Sequence, residues 1–283
     1  MQKYSFNFNK AILNSLCAII CSVAYTTCAY AQGSEKADEE KPLIGMNIKV
    51  DGEKPVQYII SSPYSQAILK SGGIPILIPP MGIEPLKQLF SKLDGVIMIG
   101  GRDYPPFMYD KTINKTINLM PERRSSFDSR MAKLVLNNPK LPFLGICAGA
   151  QILNIKSGGS LIRDIPTSYP DSNIEHASDD GWINGWSKHK VVFDKDCKLA
   201  KIFNSKNLTV VSAHHQCFDK IGKDLKITSR ASDGVPESYE HKDNSRFFIG
   251  LQWHPERGYK TNKPLFDEFV KQCKSYKKKR IGM

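Results

Sequence analysis

The chain has 283 residues, 41% hydrophobic and 24% charged, with 40 basic against 28 acidic side chains. That length suits one α/β domain with a large buried core. No internal repeat or transmembrane segment is present, and no recognised nucleic-acid motif accompanies the net charge of +12, which argues against arrays, membrane spans and nucleic-acid partners.

Met1 to Ala31 holds Lys3 and Lys10, no acid, and an apolar stretch from Ala11 to about Tyr25, and it closes in Cys28-Ala29-Tyr30-Ala31. A basic start, an apolar middle and an Ala-x-Ala end predict a signal peptide cleaved after Ala31, with export to a periplasm or beyond the cell. The rival is an uncleaved anchor, but Asn14 and Ser15 interrupt the stretch, which is short for a span. Residues 32–41 are polar and charged, and read as a disordered leader. Cleavage removes two lysines and leaves a charge near +10. Cys147, Cys197, Cys217 and Cys273 remain, at no zinc or small-disulfide spacing; an oxidising compartment would permit one structural pair.

The domain is expected over residues 42–276. Leu43 to Ile48 predicts a strand, Pro63 to Ser71 a helix closed by Gly72-Gly73, and Ile74 to Ile78 a buried strand ended by Pro79-Pro80. Glu84 to Leu93 has helical spacing, and Gly95 to Ile99 is an apolar strand stopped by Gly100-Gly101. Phe127 to Leu136 predicts a helix, Phe143 to Ile146 a strand and Ala148 to Lys156 a helix. Buried strands alternating with helices argue for an α/β fold, a mostly parallel sheet flanked by helices, with its site at the C-terminal strand ends. Short strands are expected at 158–165, 190–193, 208–213, 226–230, 237–241 and 247–252, as sheet extensions carrying histidine loops. Pro166 to Lys188 is loop-like, with Trp182 and Trp186, and reads first as an ordinary surface loop, with a lid or substrate-facing insertion as the alternative. The lysine-rich end, 277–283, reads as a solvated basic tail.

Chemistry concentrates in two places. Gly145-Ile-Cys147-Ala-Gly149 follows an apolar run and precedes a helix. Small residues around a cysteine permit a sharp strand-to-helix turn that projects the side chain and leaves backbone N–H groups beside it. At a helix N-terminus the dipole favours thiolate over thiol. Later, Gln252-Trp-His254-Pro-Glu256 supplies an imidazole and a carboxylate to orient it. Cys147, His254 and Glu256 are the parts of a Cys–His–acid triad.

These segments, together with Ser212-Ala-His214-His215-Gln216, resemble class I glutamine amidotransferase-like hydrolases, and in particular the stand-alone γ-glutamyl hydrolases of the peptidase C26 type. The resemblance runs from about Pro42 to about Phe269. It implies a flavodoxin-like sheet with a nucleophile elbow. It implies an oxyanion hole made by the backbone N–H groups of Gly101 and Ala148. It places Gln151, His214, His215, Gln216 and Glu237 on the substrate side, Glu237 through the stretch Asp233-Gly-Val-Pro-Glu237. Adjacent histidines on a strand face opposite ways, so at most one should reach a ligand directly. No metal is expected, because no second His/Cys/Asp cluster has ligand spacing, and the implied chemistry requires no cofactor. Three positions depart from the family pattern: Ala148 stands where arginine is frequent, Arg102 where a third glycine is usual, and Arg124-Ser-Ser-Phe-Asp128 where Arg-Asp-x-x-Glu is expected.

The expectation is an exported cysteine hydrolase that cleaves γ-glutamyl amide or isopeptide bonds through a γ-glutamyl thioester. Its partner is a small γ-glutamyl substrate, with no nucleic acid and no membrane span after signal cleavage; a homodimer stays open. The rivals are a glutaminase subunit that feeds ammonia to a second protein, and a non-catalytic amino-acid or peptide binder on the same scaffold.

Overall fold

The strand that feeds Cys147 lies inside a nine-stranded sheet, where both its faces are covered. The structure is a computed structural model that describes residues 40–52, 54–178 and 186–282. The expected signal peptide, all but the end of the leader, and Trp182 lie outside the described residues. Residues 41–283 form one unit.

The strands are β1 (Leu43–Asn47), β2 (Lys49–Asp51), β3 (Gln57–Ile59), β4 (Ile74–Ile78), β5 (Gly95–Met98), β6 (Phe143–Ile146), β7 (Leu161–Ile162), β8 (Ser187–Phe193), β9 (Asn207–Ser212), β10 (Cys217–Phe218), β11 (Leu225–Ala231), β12 (Pro236–His241) and β13 (Phe248–Leu251). The helices are α1 (Ser62–Lys70), α2 (Ile83–Phe90), α3 (Glu122–Leu136), α4 (Ala148–Lys156), α5 (Ile165–Ser168), α6 (Lys198–Phe203) and α7 (Tyr259–Arg280).

The main sheet runs β4-β1-β5-β6-β13-β12-β11-β8-β9. The strands from β4 to β13 are parallel, and the rest continue the sheet antiparallel. The expected parallel sheet flanked by helices is thus present, and most of the later short strands extend it. Phe247 to Gln252 differs: it supplies β13, the fifth parallel strand, paired in register with β6 from Phe248↔Phe143 to Leu251↔Ile146.

Alternation inside apolar runs builds two cores. Val96, Met98 and Phe143 pack with Phe127, Met131 and Ile152 on one face. Ile97, Ile99, Leu144 and Ile146 pack with Tyr64, Ile68, Leu265 and Phe269 on the other. An unbroken apolar run is what a strand covered on both faces needs. In β8 the burial alternates instead, with Ser187, His189, Val191 and Phe193 inward and Lys188, Lys190 and Val192 outward.

Several boundaries differ from the sequence reading. β4 is an edge strand with Ile74 and Leu77 exposed; Pro75 lacks an N–H and is tolerated there. Helix α3 begins five residues early, because its first turns carry a buried Arg124–Asp128 pair rather than apolar residues. The strand at 158–165 shrinks to β7, since Gly158 takes φ +83° to stop α4. The basic end is not a separate tail: α7 continues through Arg280, whose guanidinium reaches Asp94 at 2.8 Å. All four described cysteines are unpaired and buried. No helix among the described residues is long and apolar enough to cross a membrane.

Candidate active site

Cys147 sits between β6 and α4 with φ 50° and ψ −116°, a conformation that non-glycine residues adopt at a cost of about 1–3 kcal/mol. The surroundings enforce it. Its N–H donates to Leu251 O at 2.7 Å, and its carbonyl accepts from the N–H groups of Ala150 and Gln151. The flanking glycines allow α4 to press onto the sheet. A Cβ on Gly149 would lie 1.9 Å from the Met98 carbonyl oxygen, and one on Gly145 would lie 2.8 Å from Ala150 Cα.

His254 and Glu256 follow β13, the neighbour of β6. His254 Nδ1 is 2.8 Å from Glu256 Oε1. A carboxylate only accepts, so Nδ1 carries the proton and Nε2 is left for the sulfur side. Position 100 shows how close the parts are: a Cβ there would be 2.8 Å from His254 Cε1 and 3.5 Å from Cys147 Cβ. Burial alone would lower the His254 pKa. The Glu256 carboxylate and Cys147 overcome this and push it up to about 10.

Gly101 and Ala148 lie side by side, since a Cβ on Gly101 would be 3.8 Å from Ala148 Cβ. Among the described residues neither N–H donates a hydrogen bond. The glycine loop is held from below. Arg124 donates through Nε to Asp128 at 2.6 Å and through Nη2 to the carbonyls of Ile99 and Gly100. Asp128 also accepts from Asn47 and Tyr104. The departure at Arg124 to Asp128 therefore forms a buried ion pair beneath the loop. Arg102 points to a solvent-exposed position.

The remaining predicted residues divide. Gln151 donates to Gln252 Oε1 at 3.4 Å, and Gln252 Nε2 approaches Cys147 Sγ at 3.8 Å. His215 is partly exposed and bridges Asp103 at 3.0 Å and Asp164 at 3.3 Å. Burial opposes its charge, but the two carboxylates raise its pKa. Gln216 is buried and donates to Arg163 O. His214 faces away from His215 into a separate buried cluster with Glu237, His176 and His189. This corrects the expectation for His214 and Glu237: their polar atoms face other side chains of the chain, and Glu237 is enclosed by imidazoles instead of being free for a substrate amine.

Sequence reading missed Tyr64, Gln252, His176 and His189. The Tyr64 hydroxyl accepts from Gly100 N–H at 3.2 Å and lies 3.4 Å from His254 Nδ1. Burial, then Glu256 and Cys147, keep it a neutral phenol. Trp186 meets the His254 ring edge-on at 4.7 Å, with the Arg257 guanidinium over its face. Lys188 and Lys190, flanking His189, were the available signal that His189 faces inward. A cavity of about 370 Å³ is lined by Lys198, Arg246 and Phe247 at the opposite, N-terminal end of β13 and takes no part in this site.

Geometrically, a thiol on a strained turn faces an oriented imidazole and two undirected amide donors. That set can perform acyl transfer. The sequence profile of the peptidase C26 family matches residues 42–256. The chain belongs to the peptidase C26 family. A glutamine amidotransferase-like protein of Rickettsia prowazekii is 32% identical over 263 residues, covering 77% of this chain and 92% of that one. The γ-glutamyl-γ-aminobutyrate hydrolase PuuD of Escherichia coli K12 is 28% identical over 230 residues, covering 77% and 87%. Among solved structures, a GMP synthase subunit from Thermoplasma acidophilum superposes with a TM-score of 0.58 over 86% of this chain and 99% of its own, at 18% identity. That likeness concerns the fold alone. As a C26 member the chain is a glutamine amidotransferase-like hydrolase.

Proposed function

We propose that the protein hydrolyses γ-glutamyl amide or isopeptide bonds, with Cys147 as nucleophile, His254 as base and acid, and Glu256 as orienting carboxylate. The observation that carries this reading is the strained Cys147 turn beside an imidazole whose Nδ1 is fixed at 2.8 Å by Glu256. The sulfur of Cys147 attacks the γ-carbonyl carbon while His254 Nε2 holds the thiol proton. The oxygen becomes an oxyanion within reach of the Gly101 and Ala148 N–H groups, donors worth about 3 kcal/mol each in such sites. Collapse expels the amine, which takes the proton from His254, and leaves a γ-glutamyl thioester. Water, deprotonated by the same imidazole, frees glutamate and restores the thiol. Tyr64 and Gln252 hold the imidazole and the sulfur in place. Asp103 lies two residues beyond Gly101, so the His215–Asp103 pair would meet a polar end of the substrate.

The name and cover of the E. coli relative support a γ-glutamyl substrate. The test is glutamate release from a panel of γ-glutamyl amines, γ-glutamyl peptides and glutamine. Release from at least one γ-glutamyl compound, lowered about a thousandfold or more by Cys147→Ala, is expected. Absence of release across the panel contradicts the reading, and glutamine turnover that rises only with a second protein favours the glutaminase rival.

Export belongs to the same proposal, motivated by the basic, apolar and Ala-x-Ala order of Met1 to Ala31. Protein recovered from its own cell should begin at Gln32 outside the cytoplasm; a cytoplasmic chain retaining Met1 would contradict this.

A further inference from the structure

His176, His189, His214 and Glu237 come from four separate stretches: the loop after α5, strand β8, the turn after β9 and strand β12. One nitrogen of each imidazole and one carboxylate oxygen all lie within 4.8 Å of one another. Glu237 Oε1 is 3.1 Å from His176 Nδ1, 2.9 Å from His189 Nε2 and 3.4 Å from His214 Nε2. Donors bound to zinc at about 2.0–2.1 Å stand about 3.3–3.4 Å apart at tetrahedral angles, so these spacings approximate three edges of such a site. None of the four residues is more than 6% exposed.

The outer nitrogens fix what the inner ones present. His176 Nε2 lies 2.9 Å from Asp233 Oδ2, and His214 Nδ1 lies 3.0 Å from the Gln216 carbonyl. Both partners are acceptors, so the ring hydrogens point outward. In neutral rings His176 Nδ1 and His214 Nε2 then turn lone pairs toward a carboxylate, an arrangement that repels unless a proton or a metal ion stands between. Only His189 has hydrogen-bond geometry to Glu237 among the described residues. Glu237 Oε2, on a fully buried side chain, has no partner there. A carboxylate and a carbonyl behind two imidazoles are also what metal-bound histidines use to set their tautomers, and Asp233 is itself fixed by the Ser172 hydroxyl at 2.6 Å.

We propose that His176, His189, His214 and Glu237 bind one divalent transition-metal ion, zinc fitting best, as a closed structural site. Imidazole and carboxylate donors suit zinc, and four protein ligands without an exposed face leave no position for a reacting water. The ion would pin the loop bearing His176 to β8, β9 and β12. Its effect on chemistry would be indirect: Trp186, three residues before His189, packs on the His254 ring, and β9 holds His254 N–H through Val211 O.

The test uses purified wild-type protein, prepared without metal-affinity resin. Metal content is measured by plasma mass spectrometry. The protein is then stripped with a chelator and titrated with Zn²⁺ alone or Co²⁺ alone. We expect about one equivalent of metal per chain and the visible absorption of tetrahedral Co²⁺. Stripping should lower the melting midpoint by about 5–10 °C, with recovery at zinc about a hundredfold above its dissociation constant. Asp233→Asn should fold and bind zinc about 10–100-fold more weakly. Folded wild-type protein that carries no metal, binds neither ion and shows no shift in midpoint overturns the proposal and leaves a hydrogen-bonded imidazole cluster. Undiminished affinity in folded His189→Gln also overturns it, by placing the ion elsewhere.

Discussion

At the residue scale the proposed chemistry turns on Cys147 and His254, which local sequence exposed for different reasons. Cys147 was legible because glycines on both sides permit one unusual turn, and the structure places the residue at φ 50°. His254 was legible because its carboxylate lies two residues away. Tyr64 was not, because it reaches His254 across 190 positions of chain through α1 packing. The raised His254 pKa gives a pH prediction. Its unperturbed value is 6.5, and the folded value is about 10. The group therefore contributes stability fully below about pH 6.5 and loses it as pH rises toward 10. The difference in denaturation midpoint between wild type and His254→Gln should shrink across that window. A difference constant from about pH 6 to pH 10 would contradict the assignment.

At the element scale the junction of β6 and α4 determines how the site is presented. Every residue of α4 from Ala148 to Ile155 is buried, so the helix runs between sheet and loops with no solvent face. Periodicity alone could not distinguish this from a surface helix, but Gly149 marks where the backbones meet. Gly149→Ala would place Cβ against Met98 carbonyl oxygen, which is backbone and cannot swing aside. Overpacking of this kind costs about 1–3 kcal/mol or more. The expected result is a lowered melting midpoint with reduced turnover; an unchanged midpoint would mean the helix is not seated as described. The start of α3 was misread for a related reason. Its first turns bury a salt bridge, and an apolar pattern cannot report a buried Arg124–Asp128 pair.

At the scale of the whole molecule, the parallel half of the sheet was readable from its apolar runs, whereas the antiparallel half was readable only as short strands. Its significance depends on which residues the topology gathers. His176, His189, His214 and Glu237 are dispersed over more than sixty positions and form one cluster only after β8, β9 and β12 assemble. Ligand spacing in sequence therefore could not have brought these four side chains together. The same topology puts β6 and β13 side by side, which delivers Cys147 and His254 to one end of the sheet. The most direct measurement is peptide mass spectrometry after incubation with a diazoketone analogue of glutamine. One covalent adduct on Cys147, prevented by excess γ-glutamyl substrate, is the expected result. An unmodified Cys147, or an adduct confined to Cys197, Cys217 or Cys273, would contradict it.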